Sequence, residues 1–485
     1  MVIEKDIKID SLVYFRFKRL KHNRVLMTND AGNYIFVSLQ EFDMVVKDSY
    51  ETDPKLFTKL KENNFISTHD TVDRLAVKYN EKNWFLNYGP SLFAMVGTLR
   101  CDHSCNYCQV SRVKMSAGEK YDTPLENVEK IVDILLETTA PSACIEFQGG
   151  EPLANFPYVK KVIETANEKN EIKKKEGKGI DLIFSVVTNT TFLDDEKLKY
   201  LLDQDVSICT SLDGPEDIHN KHRRGEINTY ASTVKWINKI NAENKKRSGD
   251  NHKYNKVNAI PTLTKDGLKR YKDIIDLYLE LGLPSIQLRP LQPFGFGKGS
   301  KSFTYSADDY IEFYQNSMDY ILEINRNGTP FFEKISQAYL KKILYQVDPN
   351  YLDLRAPGGF GIGSMGFYYN GGISTCDEGR MVHEMGDDEF IIGDVNKSSY
   401  KDVIASPTVR RLAIASTLEG IPGCNDCAYN PYCSVSPVYN YVLQGSLFGQ
   451  TPTSYRHKVA EGTLDYLFET LEENHEIYQS WLELN

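Results

Sequence analysis

Short apolar runs alternate with segments of helical period along the middle of the chain. Between about residues 93 and 295, the apolar runs are separated by longer segments in which apolar residues recur every three or four positions. This pattern predicts β-strands of a parallel sheet joined by α-helices. The predicted strands are 94–99, 143–148, 181–187, 206–212, 256–262 and 285–290. The predicted helices are 125–138, 157–169, 194–203, 230–241 and 267–281.

The predicted fold class is α/β, because six such strands can form an open, partial (β/α)6 barrel. Within residues 1–90, VLMTND and YIFVSL flank an Ala-Gly-Asn turn and predict a β-hairpin, followed by helices near 40–48 and 54–63. A small α+β domain of winged-helix type fits this pattern. Charge-rich segments at 170–180 and 243–255 are expected to be loops.

We divide the chain into five units on these patterns. They are an N-terminal domain at 1–90, the barrel at 91–300, connecting helices at 301–350, a C-terminal domain at 351–445 and a C-terminal helix at 446–485.

Composition narrows the possible partners and location. The 41% hydrophobic and 26% charged fractions are those of a globular protein, and the net charge is -10, so we expect neither nucleic acid nor an anionic membrane as a partner. The N-terminus mixes charged and apolar residues too closely for a signal peptide, which leads us to expect a cytoplasmic protein.

Three of the nine cysteines follow directly after the first predicted strand. Cys101, Cys105 and Cys108 are spaced as metal ligands are, not as a disulfide framework. Three thiolates on one loop can hold three irons of a 4Fe-4S cluster, and the fourth iron is then free to chelate S-adenosylmethionine (SAM). A zinc knuckle is the alternative, although zinc requires a fourth protein ligand.

Polar motifs also end the next predicted strands, where loops of such folds build the active site. Gln148-Gly149-Gly150-Glu151 ends the second strand, Asn189 follows the third, and Ser211 and Asp213 follow the fourth. Two glycines let backbone approach a ligand, and a carboxylate accepts hydrogen bonds from an ammonium group. Loop capping is the alternative for each stretch. Arg289 ends the sixth strand and suits either a ligand carboxylate or a buried ion pair.

The Cys101 motif, with Tyr107 inside it, resembles the signature of the radical SAM superfamily. Gly149-Gly150-Glu151-Pro152 resembles the superfamily's motif for the SAM amino group. Arg223 resembles an arginine that supports the SAM carboxylate in related peptide maturases, and the adjacent Arg224 is the alternative for that role. The resemblance implies a 4Fe-4S cluster on the three cysteines. It also implies SAM-binding roles for Tyr107, Gln148, Gly149, Gly150, Glu151, Asn189, Ser211 and Arg223.

A second cysteine group lies near the C-terminus and resembles the SPASM extension of peptide-modifying radical SAM enzymes. Cys424, Cys427 and Cys433 form its C-x2-C-x5-C run, and Cys376 follows a stretch similar to the hairpin that supplies another cluster cysteine. A full extension with two clusters needs about seven or eight cysteines, so at most one auxiliary 4Fe-4S cluster is expected here. Its fourth ligand is Cys376, a carboxylate or no residue, and a structural zinc site is the alternative.

Looser strings between residues 14 and 445, such as YFRFKRL, LRPLQPFGF and CAYNPYC, resemble the His-Xaa-Ser system radical SAM maturases. This implies that a 5'-deoxyadenosyl radical abstracts hydrogen from a ribosomally made precursor peptide with His-x-Ser repeats and that a side-chain cross-link forms. A flavodoxin or ferredoxin would donate the electron. The N-terminal domain would grip a leader peptide as an added edge strand, or would serve packing alone.

Two other functions remain open from the sequence. One is an enzyme similar to the anaerobic sulfatase maturases, and the other is a non-catalytic metal-binding scaffold for peptides. Asp213, Asp377 and Glu378 are candidates for a catalytic acid or base by their location only.

Overall fold

The N-terminal part of the chain is a small antiparallel sheet with three helices. The computed structural model describes residues 11–248, 257–300 and 302–484. Its first strands are β1 (Arg16–Arg19), β2 (Arg24–Thr28) and β3 (Tyr34–Ser38), and its first helices are α1 (Leu39–Val46), α2 (Pro54–Glu62) and α3 (His69–Lys82). The pairing of β2 with β3 confirms the predicted hairpin. Ser38 and Glu41 form a capping box that starts α1.

The predicted strands of the barrel lie mostly in one eight-stranded mixed sheet. The next strands along the chain are β4 (Leu92–Thr98), β5 (Arg100–Cys101), β6 (Val113–Lys114), β7 (Ser142–Gly149), β8 (Asp181–Thr188), β9 (Val206–Ser211) and β10 (Asn258–Ile260). In the large sheet, β10, β9, β8, β7 and β4 are adjacent in that order and parallel. Their C-terminal ends therefore meet at one edge, as the β-α alternation predicts.

The structure corrects the prediction of the sixth strand, at 285–290. Only β11 (Ser285–Ile286) is extended there, and it pairs in parallel with β12 (Phe332–Glu333) in a separate two-stranded sheet. Two features end it early. The Leu288 N–H donates to the buried side-chain carboxylate of Glu333 at 3.0 Å instead of to a backbone carbonyl of β12, and Pro290 has no N–H to donate.

Helices cover this sheet, and two of them are longer than predicted. They are α4 (Val128–Leu135), α5 (Phe156–Lys175), α6 (Asp195–Asp203), α7 (Glu216–His222), α8 (Thr229–Ser248), α9 (Lys265–Leu268) and α10 (Tyr271–Glu280). The first part of each predicted loop, 170–175 and 243–248, is helical. Basic side chains in the last turns of α5 and α8 stabilise the negative ends of these helices, which explains the extension. Residues 249–255 of the second loop lie outside the described residues.

The C-terminal half extends the same large sheet. The remaining elements are α11 (Ala307–Arg326), α12 (Lys334–Leu340), β13 (Ser364–Phe367), β14 (Gly372–Ser374), α13 (Asp377–Glu384), β15 (Ile391–Asp394), α14 (Tyr400–Ile404), α15 (Pro407–Ala415), α16 (Pro437–Gln444), α17 (Tyr455–Thr470) and α18 (His475–Glu483). Strand β13 pairs in parallel with β4, and β14 and β15 follow as antiparallel neighbours. Where the sequence predicted one C-terminal helix, the structure has α17 and α18. The boundaries of the five predicted domains stay predictions.

Helix α17 also contacts the N-terminal sheet. The Lys18 ammonium on β1 binds Glu461 at 2.6 Å and Asp465 at 2.9 Å, and the Thr28 hydroxyl donates to the Ala428 carbonyl at 2.8 Å. The N-terminal sheet thus packs against the segment that carries the C-terminal cysteines. Among the described residues, no helix is both long and apolar enough to cross a bilayer.

Candidate functional site

A cleft of about 1000 Å³ lies at the edge where the parallel strands end. Cys101, Cys105 and Cys108 line it on one side. Tyr107 lines it from the same loop, and the ends of the other strands and the segments after them complete it with Gly149, Gly150, Asn189, Ser211 and Arg223. With Arg289, which also lines it, the structure gathers ten of the residues singled out in the sequence around one cavity.

Close packing fixes the backbone of the cysteine loop. A Cβ atom on Gly150 would lie 2.4 Å from the carbonyl oxygens of both Leu99 and Arg100, so only glycine lets the β7 turn approach this loop. On the other side, the Phe296 N–H donates to the Cys108 carbonyl at 2.8 Å, and a Cβ atom on Gly295 would lie 2.5 Å from the same oxygen. The loop that carries the thiols is thus held between two turns.

Arg223 lines the cleft and is held there by a buried carboxylate. Its Nε donates to both oxygens of Asp213 at 3.1 Å, and Asp213 also accepts the Thr262 N–H at 2.9 Å and the Tyr107 hydroxyl. Burial works against the charged guanidinium, but Asp213 outweighs it and raises the pKa of Arg223. A permanent positive charge therefore faces the cleft. Asp213, which does not line the cavity, orients it.

Asn189 ties the third strand to the cysteine loop. Its amide nitrogen lies 3.7 Å from Cys101 Sγ and donates to Asp102 at 2.9 Å. Its backbone N–H donates to Glu151 at 2.8 Å. The three segments that end β4, β7 and β8 are thus linked by one residue.

Glu151 and Gln148 do not line the cleft. Glu151 is buried and accepts hydrogen bonds from Thr188 Oγ1 at 2.7 Å, from the Asn189 N–H and from the Leu153 N–H at 3.0 Å, and burial raises its pKa to about 7. Gln148 donates to Glu146 at 2.7 Å and accepts from Arg380 at 3.2 Å. Both side chains hold neighbouring strands and loops in place in this structure.

The three cleft thiols fit an iron-sulfur cluster. Burial raises the pKa of the Cys105 thiol to about 12 and raises that of Cys101 as well, so a metal must displace their protons to form thiolate bonds. His103, the nearest further donor in the motif, has its Nε2 hydrogen-bonded to Thr191 at 3.1 Å. Among the described residues, no group of three or more His, Cys, Asp or Glu side chains converges on one metal ion. The ligands of a cubane do not need to converge, because each thiolate binds a different iron.

The C-terminal cysteines fall into two places. Cys424 and Cys433 line two small cavities together, and Cys427 lines one of them. Cys376 lines a different cavity, with Gln148 and Asp377. It is the N-cap of α13, and its sulfur accepts the Gly379 N–H at 3.3 Å.

The carboxylates next to Cys376 also lie away from the cleft. Asp377 binds Arg380 at 2.6 Å. Burial, together with Asp353 and Asp377, raises the pKa of Glu378. Neither residue lines the cavity of the cleft thiols.

Some cleft residues were not predicted from the sequence. Thr262, Arg112 and Gln292 line the cleft beside the predicted residues. Thr262 follows β10, so the rule that selected Asn189 and Ser211 also applies to it. Arg112 and Gln292 lie in irregular segments without a periodic signal.

The comparisons with known proteins agree with this geometry. Residues 95–293 match the family model described as the radical SAM superfamily. A cysteine-type anaerobic sulfatase-maturating enzyme of Clostridium novyi is 22% identical over 344 residues, which are 69% of this chain and 83% of that protein. The radical SAM cyclopropyl synthase TigE of Paramaledivibacter caminithermalis is 23% identical over 249 residues, 49% of each chain.

Solved structures share the fold at low identity. The native anaerobic sulfatase-maturating enzyme anSMEcpe with bound AdoMet has a TM-score of 0.66 at 17% identity and covers 81% of this chain and 100% of its own. Streptococcus suis SuiB bound to the precursor peptide SuiA has a TM-score of 0.52 at 15% identity, over 93% and 100% of the two chains. The family match and the cysteine-lined cleft agree: residues 95–293 are similar to the radical SAM superfamily, a match that implies a 4Fe-4S cluster and SAM.

Proposed function

We propose that this chain is a radical SAM enzyme that modifies a ribosomally synthesised peptide and installs a side-chain cross-link. The observation that supports this proposal is the single cleft, which brings the three thiols together with polar groups from four neighbouring strand ends. When bound, the cluster and SAM supply a 5'-deoxyadenosyl radical that abstracts hydrogen from the peptide. A flavodoxin or ferredoxin is the proposed electron donor.

The residues of the cleft have distinct roles in this proposal. Cys101, Cys105 and Cys108 hold the cluster, and the guanidinium of Arg223 binds the SAM carboxylate. Asn189 and Ser211 offer short polar side chains to the ribose hydroxyls. The backbone at Gly149 and Gly150 receives the SAM amino group, because the Glu151 carboxylate already accepts three hydrogen bonds.

A neighbouring cavity supplies room for the peptide. It has an empty volume of about 800 Å³ and shares Arg289, Pro290, Leu291 and Gln292 with the cleft, so a bound side chain there would lie next to SAM. Six tyrosines line it, namely Tyr310, Tyr314, Tyr339, Tyr351, Tyr439 and Tyr455. Burial works to lower the pKa of Arg289, but nearby Asp353 outweighs it and raises the pKa, so a charged guanidinium lies at the junction. A mostly aromatic wall with few charges suits an uncharged peptide side chain.

The second candidate function is oxidation of one Cys or Ser in a sulfatase. The Clostridium relatives favour it, since three of them are named cysteine-type anaerobic sulfatase-maturating enzymes. Two peptides separate the functions, one with His-x-Ser repeats and one with a sulfatase cysteine motif. A cross-link removes the mass of H2 from the first and joins two residues in its tandem mass spectrum, whereas oxidation changes the cysteine of the second.

The first test measures SAM cleavage in protein purified without oxygen and reconstituted with iron and sulfide. We expect wild type to form 5'-deoxyadenosine under dithionite and the Cys101→Ala, Cys105→Ala, Cys108→Ala triple variant to form none while it keeps about four irons. The matched control is the Cys424→Ala, Cys427→Ala, Cys433→Ala variant, which should lose the other cluster. Cleavage by the first variant, or zinc instead of iron in wild type, would contradict the proposal.

A further inference from the structure

We propose that His457 is the fourth protein ligand of the auxiliary cluster, so that its ligands are Cys424, Cys427, Cys433 and His457. The inference rests on the proposed function only for the presence of an auxiliary cluster. It replaces Cys376 as the fourth ligand. No motif in the sequence marks His457, which lies 24 residues beyond Cys433 and outside the cysteine motif.

The three cysteines are held together by the turns of one short loop. The Cys427 N–H donates to the Cys424 carbonyl at 3.3 Å, and the Cys433 N–H donates to the Tyr429 carbonyl at 2.9 Å. The Asn430 side chain closes the loop by donating to the Cys424 carbonyl at 3.0 Å. All three cysteines line one cavity of about 330 Å³.

His457 lies at the same two cavities as these thiols. One cavity, of about 400 Å³, is lined by Cys424, Cys433 and His457, and the other, of about 330 Å³, adds Cys427 and Glu461. Helix α17 starts beside the loop, and its N-cap Ser454 accepts the His457 N–H at 3.3 Å. The first turn of a capped helix thus fixes the imidazole at the wall of the cysteine cavities.

The surroundings of His457 resemble the support of a metal-bound histidine. Its Nε2 lies 3.6 Å from Glu461 Oε2, and Glu461 Oε1 binds the Lys18 ammonium at 2.6 Å. The carboxylate therefore faces Nε2, which leaves Nδ1 as the ring nitrogen available for a metal.

The other sources of a fourth ligand fit less well. Cys376 lines a separate cavity and already accepts the Gly379 N–H as a helix cap. Glu461 lines the smaller cysteine cavity, but its carboxylate is paired with Lys18. A neutral imidazole in place of a thiolate also makes the cluster less negative, which raises its reduction potential.

The test uses the variant without Cys101, Cys105 and Cys108, so that only the C-terminal site is observed. Histidine is labelled with 15N, the protein is reconstituted and reduced, and hyperfine EPR detects nitrogen bound to the cluster. We expect a nitrogen coupling that His457→Cys abolishes while about four irons remain, together with a lower reduction potential. His457→Ala should lose at least half of the iron within hours of exposure to air.

The matched control is His475→Ala, because His475 is an exposed histidine at the start of α18. It should leave the coupling, the iron content and the potential unchanged. Absence of nitrogen coupling in the parent, or its persistence in His457→Cys, would overturn the proposal. If the site takes zinc, X-ray absorption with three sulfurs and one nitrogen supports His457 and contradicts the auxiliary cluster. Failure of wild type to cleave SAM would count against the proposed function alone.

Discussion

The two cysteine sites of this chain differ in the size of the cavities beside their thiols. Cys101, Cys105 and Cys108 lie on an irregular loop at the wall of a cleft of about 1000 Å³ that also holds an arginine and several polar groups. Cys424, Cys427 and Cys433 line cavities of about 330 and 400 Å³, with a histidine and a helix beside them. The first site has room for a ligand next to its metal, whereas the second has room for little beyond a metal group.

The difference lies in what supports each loop. Backbone contacts of Gly150 and Gly295 fix the first loop from two sides, and they leave the third side open. Side chains of α17 and of the N-terminal sheet close the second loop. An open iron requires the first arrangement, and a fully ligated cluster requires the second.

The largest expected effect comes from Gly150→Ala. Its Cβ would meet two carbonyl oxygens at 2.4 Å, so the β7 turn must move away from the cysteine loop. We expect a loss of about 1–3 kcal/mol of stability and about a hundredfold loss of SAM cleavage, with iron lost from the cleft site only. The control is Gly420→Ala, where a Cβ meets no atom within 4 Å. Full activity of Gly150→Ala would refute the rigid support of the first loop.

Arg223→Ala is expected to weaken SAM binding at least about tenfold. The substitution removes the charge in the cleft and leaves the buried Asp213 carboxylate without its partner, a loss of about 3–5 kcal/mol of stability. Arg223→Lys retains the charge but not the two hydrogen bonds, and should give an intermediate dissociation constant for SAM. The control is the exposed Arg224, which donates to the Lys221 carbonyl at 3.2 Å. Equal dissociation constants for Arg223→Ala and Arg224→Ala would remove Arg223 from the site.

Sequence patterns predicted the cleft site better than the C-terminal one. Strand ends at Gly149, Asn189 and Ser211 follow from hydrophobic runs, and parallel strands bring such ends together. The early end of β11 was not predicted, because it depends on the hydrogen bond from the N–H of Leu288 to the side chain of Glu333, 45 residues away in the sequence.

The C-terminal site depends on contacts between distant parts of the chain. Lys18, Glu461 and His457 form its support only after the N-terminal sheet packs on α17. No local pattern encodes such a contact. The sequence left the fourth ligand open between Cys376, a carboxylate and no residue, and only the position of α13 shows that Cys376 lines a separate cavity.

Acid should destabilise the cleft region through His219. This histidine is fully buried, and burial lowers its pKa to about 4, with Asp213, Arg223 and His103 as the charged or titratable groups that face it. The unfolded chain then binds more protons than the folded one between pH 6.5 and 4. The contribution of His219 to the free energy of unfolding is therefore complete above pH 6.5. As the pH decreases from 6.5 to 4, the free energy of unfolding decreases by up to about 3 kcal/mol.

His219→Asn should flatten this dependence in urea unfolding of the apoprotein, because its side-chain oxygen can still accept the Asp213 N–H that Nδ1 accepts at 3.3 Å. The exposed His475→Ala should keep the full slope. An unchanged slope in His219→Asn would show that water reaches His219 and that burial does not lower its pKa in the folded protein.

The smallest expected effect tests how firmly the N-terminal sheet closes the second site. The Lys18 side chain is 25% exposed and Glu461 is 41% exposed, so solvent screens their pair, and a double-mutant cycle of Lys18→Met with Glu461→Gln should give a coupling of about 0.5–1 kcal/mol in unfolding free energy. Lys47→Met removes the more exposed pair with Asp43 and should cost less. A coupling above about 2 kcal/mol would mean that Lys18 and Glu461 are effectively dry, and that the closed site depends on the N-terminal sheet as strongly as the cleft depends on its glycines.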